Sequence, residues 1–138
     1  MEGDLGGLIL FEGYVNKFSY VQTLLIYKED LTKFRKKNLI FEQDGASSHR
    51  IQNNSNLIKI LFKNNFIKIQ PNYPDIASPI ENIWGIIKPK IKRKNPKELE
   101  ELKNLTIEEW NNVKKSIIKK SHLEFFERIK KIIKIKGN

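Results

Sequence analysis

The hydrophobic pattern of this chain changes near residue 70, and that change is the strongest constraint on its fold. Before it, short apolar runs at 8–11, 39–41 and 66–69 alternate with segments whose apolar residues recur every three or four positions. Short runs of this kind indicate buried strands, and the longer spacing indicates helices. After residue 70 only the helical spacing is found. The order strand–helix–strand–helix–strand predicts an α/β fold with a largely parallel sheet, followed by a helical segment.

The positive charge of the chain is concentrated in its second half. The 138 residues include 26 Lys and Arg against 16 Asp and Glu. Residues 1–85 have a net charge of +1, whereas residues 86–138 have a net charge of +9. A basic half of this kind favours a polyanionic partner, most often nucleic acid. Lys, Ile and Asn are all abundant and all have AT-rich codons, so a biased genome composition is an alternative explanation for the lysines.

The composition also excludes several classes of protein. The absence of Cys rules out a disulfide framework, thiol catalysis and a thiolate zinc site. No run approaches the 18 apolar residues that a membrane-spanning helix needs, and no signal-peptide pattern precedes the first apolar run. No glycine-rich phosphate loop is present, so we expect no nucleotide cofactor. The expectation is an intracellular basic domain without a membrane partner.

Two carboxylates lie where the predicted fold would place a site. Asp44 follows the second predicted strand, at the sheet edge where open α/β folds bind ligands, although Asp44-Gly45 is also a strong turn signal. Glu81 begins the first helix after residue 70, where Ser78, Pro79 and Glu81 also fit a helix-capping box. Carboxylates on adjacent elements can hold Mg²⁺ or Mn²⁺, and two such ions can support phosphodiester cleavage.

Two further features are candidates for binding. His49 follows Asp44 by five positions, and it can orient a phosphate, transfer a proton, or be an ordinary half-exposed helix residue. The basic run at 88–94 fits DNA-backbone contacts or a nuclear-import signal, with a solvated helix end as the alternative. Its basic residues are Lys88, Lys90, Lys92, Arg93 and Lys94.

Four strings of this sequence resemble blocks of the mariner-type transposases. Residues 41–49, FEQDGASSH, are similar to the family's QDNAPxH block, and residues 74–85, PDIASPIENIWG, are similar to its SPDLNPIENLWG block. Residues 7–16, GLILFEGYVN, resemble the family's G-x-x-x-F-I-x-G-x-M-N strand, and residues 105–113 resemble its I-x-x-x-W-x-x-I helix. The resemblance covers most of the chain, in the order that the family has.

This resemblance implies a ribonuclease H-like fold in which three acidic residues bind two divalent metal ions, Mg²⁺ or Mn²⁺. Such a site cleaves DNA and transfers strands during transposon excision and insertion. By position, Asp44 matches the second acid and Glu81 the third, while His49 is an auxiliary residue at most. The implied partners are transposon ends, target DNA and, in a homodimer, a second copy of the chain. The implied location is the nucleus.

The chain departs from the family mainly in what it lacks. Asp44 and Glu81 are separated by 36 residues, slightly more than in most of the family, and Gly45 and Ser47 replace the usual Asn and Pro. The first catalytic acid would lie on an opening strand that precedes residues 7–16. We therefore expect residues 1–138 to form part of a catalytic domain, with an α/β part at 1–94 and C-terminal helices at 95–138. The expected fold is a truncated ribonuclease H-like fold with about three strands.

Three functions are compatible with these features. The first is a transposase-derived DNA endonuclease and strand-transfer domain, inactive in this chain because the first catalytic Asp is absent. The second is a non-catalytic basic DNA-binding or interaction module on the same scaffold, in which Asp44 is only a turn residue. The third is a structural protein whose lysines reflect genome composition, and it predicts no DNA affinity at moderate salt.

Overall fold

The described part of the chain forms two compact helical units. The computed structural model describes residues 7–26, 40–43, 46, 49, 52–62 and 78–135. The described residues between 9 and 62 belong to the N-terminal unit, and residues 7–8 and 78–135 belong to the C-terminal unit. Within these ranges there are five helices: α1 Lys17–Ile26, α2 Gln52–Phe62, α3 Pro79–Lys94, α4 Leu99–Asn111 and α5 Lys115–Lys134. None of the described helices has the length and apolar character needed to span a bilayer.

The predicted α/β, truncated ribonuclease H-like fold is wrong, because the described ranges contain no β-strand and no sheet. Residues 8–11, predicted as the first strand, have no regular structure, and Phe41 makes an isolated bridge where the second strand was expected. The third predicted strand, 66–69, lies outside the described residues. Apolar runs of three or four residues are too short to distinguish a strand from an irregular segment that packs on a core.

Helix α1 begins where its sequence predicts, at a cap formed by Asn16. The Asn16 side-chain oxygen accepts hydrogen bonds from the backbone N–H groups of Phe18 at 2.8 Å and Ser19 at 3.2 Å. The Asn16 N–H in turn donates to the Ser19 hydroxyl at 2.9 Å. These bonds satisfy backbone donors that a helix start leaves without partners. The core of the N-terminal unit consists of Leu24, Ile58, Leu61 and Phe62.

Helix α3 supplies the core of the C-terminal unit. Ile83, Ile87 and Ile91 recur every four residues and are buried, as their spacing predicts. Trp110 of α4 and Ile118 of α5 complete the buried cluster. Since residues four apart lie on one side of a helix, this isoleucine row also determines which residues of α3 face solvent.

Helix α3 ends at Asn95, whose φ of 51° places it in the left-handed region. Asn adopts this conformation more readily than most residues because its short polar side chain bonds locally. The Asn95 N–H donates to the Lys92 carbonyl at 3.1 Å, which closes the last turn. The chain then enters α4, whose C-terminal residues return to the side of α3.

Three helix boundaries differ from those predicted from the sequence. A proline within a helical pattern predicts an end or a kink, yet helix α3 continues through Pro89. The pattern Thr106-x-x-Glu109 fits a capping box and predicts a helix start, yet helix α4 starts at Leu99 and continues through Thr106. The Thr106 hydroxyl donates to a carbonyl one turn earlier at 2.7 Å instead of capping a helix. The apolar spacing predicts a last helix that starts near Ser121, whereas helix α5 starts six residues earlier, at Lys115.

Helix α5 buries a different face from the one its sequence predicts. The spacing of its apolar residues predicts an inner face of Leu123, Phe126, Ile129 and Ile133. Three of these four are more than half exposed: Leu123, Phe126 and Ile133, at 58%, 55% and 70%. The buried side chains of this helix are Ile118, Ser121 and Phe125. Apolar residues occur on two sides of α5, so the sequence pattern is compatible with either side being buried. Which side is buried depends on the residues that pack against the helix.

Candidate nucleic-acid interface

Helix α3 divides its basic residues into two sets. Successive residues of an α-helix are rotated by about 100°, so positions three or four apart share a side. Lys90 and Lys94 therefore lie beside the buried isoleucine row. Lys88, Lys92 and Arg93 lie about 100° or more from the middle of that row, Lys88 and Lys92 on one flank and Arg93 on the other. The five basic residues predicted as one DNA-contacting group thus point in different directions.

Lys90 and Lys94 bind carboxylates of α4. The Lys90 Nζ lies 3.1 Å from Glu109 Oε2, and the Lys94 Nζ lies 3.0 Å from Glu109 Oε1 and 3.2 Å from Glu108 Oε1. The Glu109 side chain is only 8% exposed, whereas those of Lys90 and Lys94 are 41% and 40% exposed. Each oxygen of Glu109 therefore accepts one ammonium group. We call these four residues the lysine–glutamate clamp, and it ties the second half of α3 to α4.

The clamp shifts the pKa values of two of its members. Hydrogen bonds from Lys94 and then Lys90 lower the pKa of Glu109. Hydrogen bonds to Glu109 and then Glu108 raise the pKa of Lys94. The lowered carboxylate pKa adds stability above the ordinary value of 4.5, and that stability is lost as the pH falls through the pKa of folded Glu109. The raised lysine pKa adds stability below 10.5 that is lost as the pH rises through the pKa of folded Lys94.

Replacing Glu109 by Gln is expected to lower the melting temperature of the C-terminal unit at neutral pH. The effect should shrink as the pH falls from neutral to a value below the lowered pKa of folded Glu109, because the wild-type carboxylate is then itself protonated. Thermal melts followed by Trp fluorescence report on this unit, because both Trp residues lie in it. Glu98→Gln is the matched control, since Glu98 is exposed and its side chain makes no capping bond. An equal loss at both pH values would contradict a role for the charge of Glu109.

Lys88, Lys92 and Arg93 are exposed to solvent. None of the three lies within ion-pair distance of a carboxylate belonging to the part of the chain that the structure describes. Lys92 and Arg93 occupy the last turn of α3, where cations interact favourably with the helix dipole. We call these three residues the outer basic face. They are the predicted DNA-contacting residues that remain available to a phosphate group.

The two predicted catalytic carboxylates have different outcomes. Asp44 lies outside the described residues, so a site shared by Asp44 and Glu81 stays a prediction. Glu81 is exposed in the first turn of α3, on the same side of the helix as the outer basic face residues Lys88 and Lys92. Ser78 occupies the N-cap position, but its hydroxyl makes no capping hydrogen bond, so the predicted capping box does not form through that side chain.

His49 contacts an aromatic side chain that the sequence did not indicate. Its ring centroid lies 4.1 Å from that of Tyr20 on α1, with the planes tilted by 39°. The Tyr20 hydroxyl donates a hydrogen bond to the Gln43 side-chain oxygen. These packing contacts explain why the His49 imidazole is half-buried. An auxiliary catalytic role for His49 stays a prediction. Tyr20 and His49 are 29 positions apart, so no local pattern could have connected them.

A predicted Mg²⁺ or Mn²⁺ site also stays a prediction. Within the described ranges, no group of three or more His, Asp or Glu side chains is placed to hold a metal ion. Asp44, the predicted second acid, is outside those ranges. Glu81 alone offers one exposed carboxylate, which is not enough to define a metal site.

The string most similar to the transposases has packing roles in the C-terminal unit. Ile83 lies in the core, and the ring of Trp84 lies 5.3 Å from that of Trp110. Asn82 donates hydrogen bonds of 3.4 Å to two side chains of α5. These contacts give three residues of the string structural roles that do not require catalysis.

Comparison with known proteins adds no family to these observations. No protein-family model matches the chain, and no curated protein matches it. The resemblance to mariner-type transposases therefore stays a prediction that depends on the four sequence strings alone. The function is accordingly inferred from the geometry and charge of the described residues.

Proposed function

We propose that this chain is a non-catalytic basic module that binds DNA through the outer basic face of α3. The observation that carries the proposal is the division of the 88–94 run into clamp residues and exposed cations. The clamp and the buried isoleucine row hold α3 in place. Lys88, Lys92 and Arg93 then extend from a fixed support, so less conformational entropy is lost when they bind phosphates.

The charge of the surrounding unit favours the same partner. Residues 78–135 contain 15 Lys and Arg against eight Glu. Several of these glutamates already pair with lysines outside the outer basic face: Glu100, Glu108, Glu109, Glu124 and Glu127. An approaching polyanion therefore meets a positive field that the unit's own carboxylates do not cancel. Affinity should fall steeply with salt, because each phosphate contact releases counterions.

The outer basic face contains the residue types that bind phosphate. Arg93 can form two parallel hydrogen bonds to one phosphate, and Lys88 and Lys92 act as point charges. Contacts of this kind position a protein on DNA but carry little sequence information. The proposal therefore expects weak sequence preference. The nuclear location expected from the 88–94 run belongs to the same proposal.

The transposase-derived endonuclease is the competing function, and Asp44, Glu81 and the divalent metal belong to it. The four strings in family order support it. The endonuclease would need an α/β sheet, and the described residues form only helices. The outer basic face does not depend on such a sheet. The two functions differ in one observable respect, since only the endonuclease needs both carboxylates and a metal ion.

Replacing Lys88, Lys92 and Arg93 together by Ala is expected to weaken binding to a fluorescent DNA duplex by at least about tenfold in low salt. The slope of log affinity against log salt should become shallower by about 0.9 for each phosphate that the variant no longer neutralises. Fluorescence anisotropy titrations at several salt concentrations measure both quantities. Circular dichroism shows whether the triple variant is folded.

The matched control replaces Lys97, Lys114 and Lys134 by Ala, which removes the same charge from exposed lysines outside α3. This control should keep most of the affinity. Equal losses in both triple variants would show that net charge alone attracts DNA and would overturn the proposed interface.

Mn²⁺-dependent nicking of supercoiled DNA that is lost in both Asp44→Ala and Glu81→Ala would overturn the non-catalytic proposal in favour of the endonuclease.

A further inference from the structure

Helix α5 presents a second exposed surface that the DNA-binding proposal does not use. Its apolar residues Leu123, Phe126 and Ile133 are 58%, 55% and 70% exposed. Lys119 and Lys130 fall on the same side of the helix as these three residues. In chain order the five residues are separated by four, three, four and three positions. We call this series the outer seam: Lys119, Leu123, Phe126, Lys130 and Ile133.

We propose that the outer seam docks an acidic amphipathic helix of a partner protein. The alternating four- and three-residue spacing is the pattern by which one helix packs along another. The opposite side of α5 is committed to the core through Ile118 and Phe125, so the seam cannot turn inward. Three large apolar side chains left in water on one stripe are typical of a surface that a partner covers.

The two lysines of the seam determine the charge of that partner. They are 11 positions apart, which places them roughly 16 Å apart along the helix axis. Lys119 has no carboxylate within ion-pair distance among the described residues. Lys130 lies 2.9 Å from Glu127, but both side chains are more than 60% exposed, so solvent screens the pair and a partner can replace it. Carboxylates of a partner helix opposite these two positions would pair with them while its apolar residues cover the stripe between.

A second copy of this chain fits the seam poorly. In a parallel pair, Lys119 and Lys130 would each face the same lysine of the other copy, which is repulsive. In an antiparallel pair centred on Phe126, Lys119 would face Ile133 and Lys130 would face His122, so neither lysine would meet a carboxylate. Either arrangement places four lysines at the contact with no carboxylate of the other copy opposite them, which is costly. Charge complementarity therefore favours an acidic partner over self-association.

The test uses a synthetic helical peptide of about 21 residues with Leu along a four–three stripe and Glu at positions matching Lys119 and Lys130. A control peptide has the same composition in scrambled order, so it carries the same charge without the stripe. Anisotropy titrations with the full chain should give saturable binding of the patterned peptide, at least about tenfold tighter than the scrambled one. Equal binding of the two peptides, or no binding of either, overturns the proposal.

Variants locate the binding surface. Phe126→Ser should weaken binding of the patterned peptide at least about tenfold. Ile107→Ser is the matched control, because Ile107 is 44% exposed on α4, outside the seam, and this change should have little effect. Equal losses in both variants overturn the proposal. Two other results also overturn it. One is a dimer of the chain, detected by sedimentation equilibrium, that is lost in Phe126→Ser. The other is binding to phosphatidylserine vesicles that is lost in Phe126→Ser, when the patterned peptide does not bind.

The outer seam and the outer basic face can fail independently. The Phe126→Ser variant should bind the DNA duplex like the unmodified chain, and the Lys88, Lys92 and Arg93 triple variant should bind the patterned peptide like the unmodified chain. Loss of both activities in both variants would mean that one surface serves both ligands, and it would overturn a separate seam.

Discussion

The Ile87→Ala variant is expected to lose about 2–5 kcal/mol of unfolding free energy. Ile87 is fully buried, at 0% exposure, in the middle of the row that forms the core of the C-terminal unit. Trp110 and Ile118 pack into the same cluster from the other two helices of that unit. Truncation removes three side-chain carbons and leaves a cavity that three helices line, and so rigid a site relaxes only partly.

This loss is large compared with the total stability of a unit this small. A domain of about 60 residues has only a few kcal/mol to lose, so Ile87→Ala should be partly unfolded at room temperature. Denaturant titration followed by Trp fluorescence isolates the transition, because Trp84 and Trp110 both belong to this unit and lie 5.3 Å apart. A second transition from the other unit would not disturb this signal.

The matched control for this prediction is Ile80→Ala on the same helix. Ile80 is 39% exposed, so the same change of residue should cost less than about half as much. Ile87→Val is expected to lose about 0.5–1.5 kcal/mol, which provides a graded intermediate if Ile87→Ala does not fold. Equal costs at positions 80 and 87 would contradict the assignment of the isoleucine row to the core.

The core of α3 could be predicted from the sequence because the helix itself carries the signal. Ile83, Ile87 and Ile91 repeat every four residues and leave one clearly apolar side. The Asn16 cap could be predicted for the same reason, since a cap depends on residues within one turn. Such local features need no knowledge of the rest of the chain.

The fold class and the inward face of α5 could not be predicted, because both depend on what packs nearby. Residues 8–11 form an apolar run as short as many strands, yet here they are irregular, and Leu8 packs against the isoleucine cluster. Phe125 and Phe126 are adjacent and equally apolar, but only Phe125 is buried. No property of either residue alone determines that choice.

The candidate interface shows the same limit at the level of single side chains. The sequence predicted a basic group at 88–94, but it could not separate Lys90 and Lys94 from the other three. That separation depends on Glu108 and Glu109, which are 14 or more positions further along the chain. The pattern Thr106-x-x-Glu109 is typical of a helix capping box, whereas Glu109 instead forms ion pairs with two lysines of another helix.

The Pro89→Ala variant is expected to stabilise the C-terminal unit by about 2 kcal/mol. Pro89 is exposed inside α3, so replacing it removes no buried contact. Proline lacks the N–H that would donate to the Gly85 carbonyl, and its ring crowds that carbonyl, at a combined cost of about 3 kcal/mol relative to Ala. Alanine also frees the unfolded chain, which offsets up to about 1 kcal/mol of the gain.

Two further substitutions separate the causes of this gain. Pro89→Gly restores the N–H but introduces the residue with the lowest helix propensity after proline, so its gain should be about 1 kcal/mol smaller. Lys88→Ala introduces alanine at the neighbouring exposed position without restoring a hydrogen bond, and its stability should change by less than about 0.5 kcal/mol. Denaturant titration by Trp fluorescence measures all three. A Pro89→Ala variant no more stable than the unmodified chain would contradict this account. It would mean that the packing of α3 depends on a bend at Pro89, and that this bend also sets the geometry of the outer basic face.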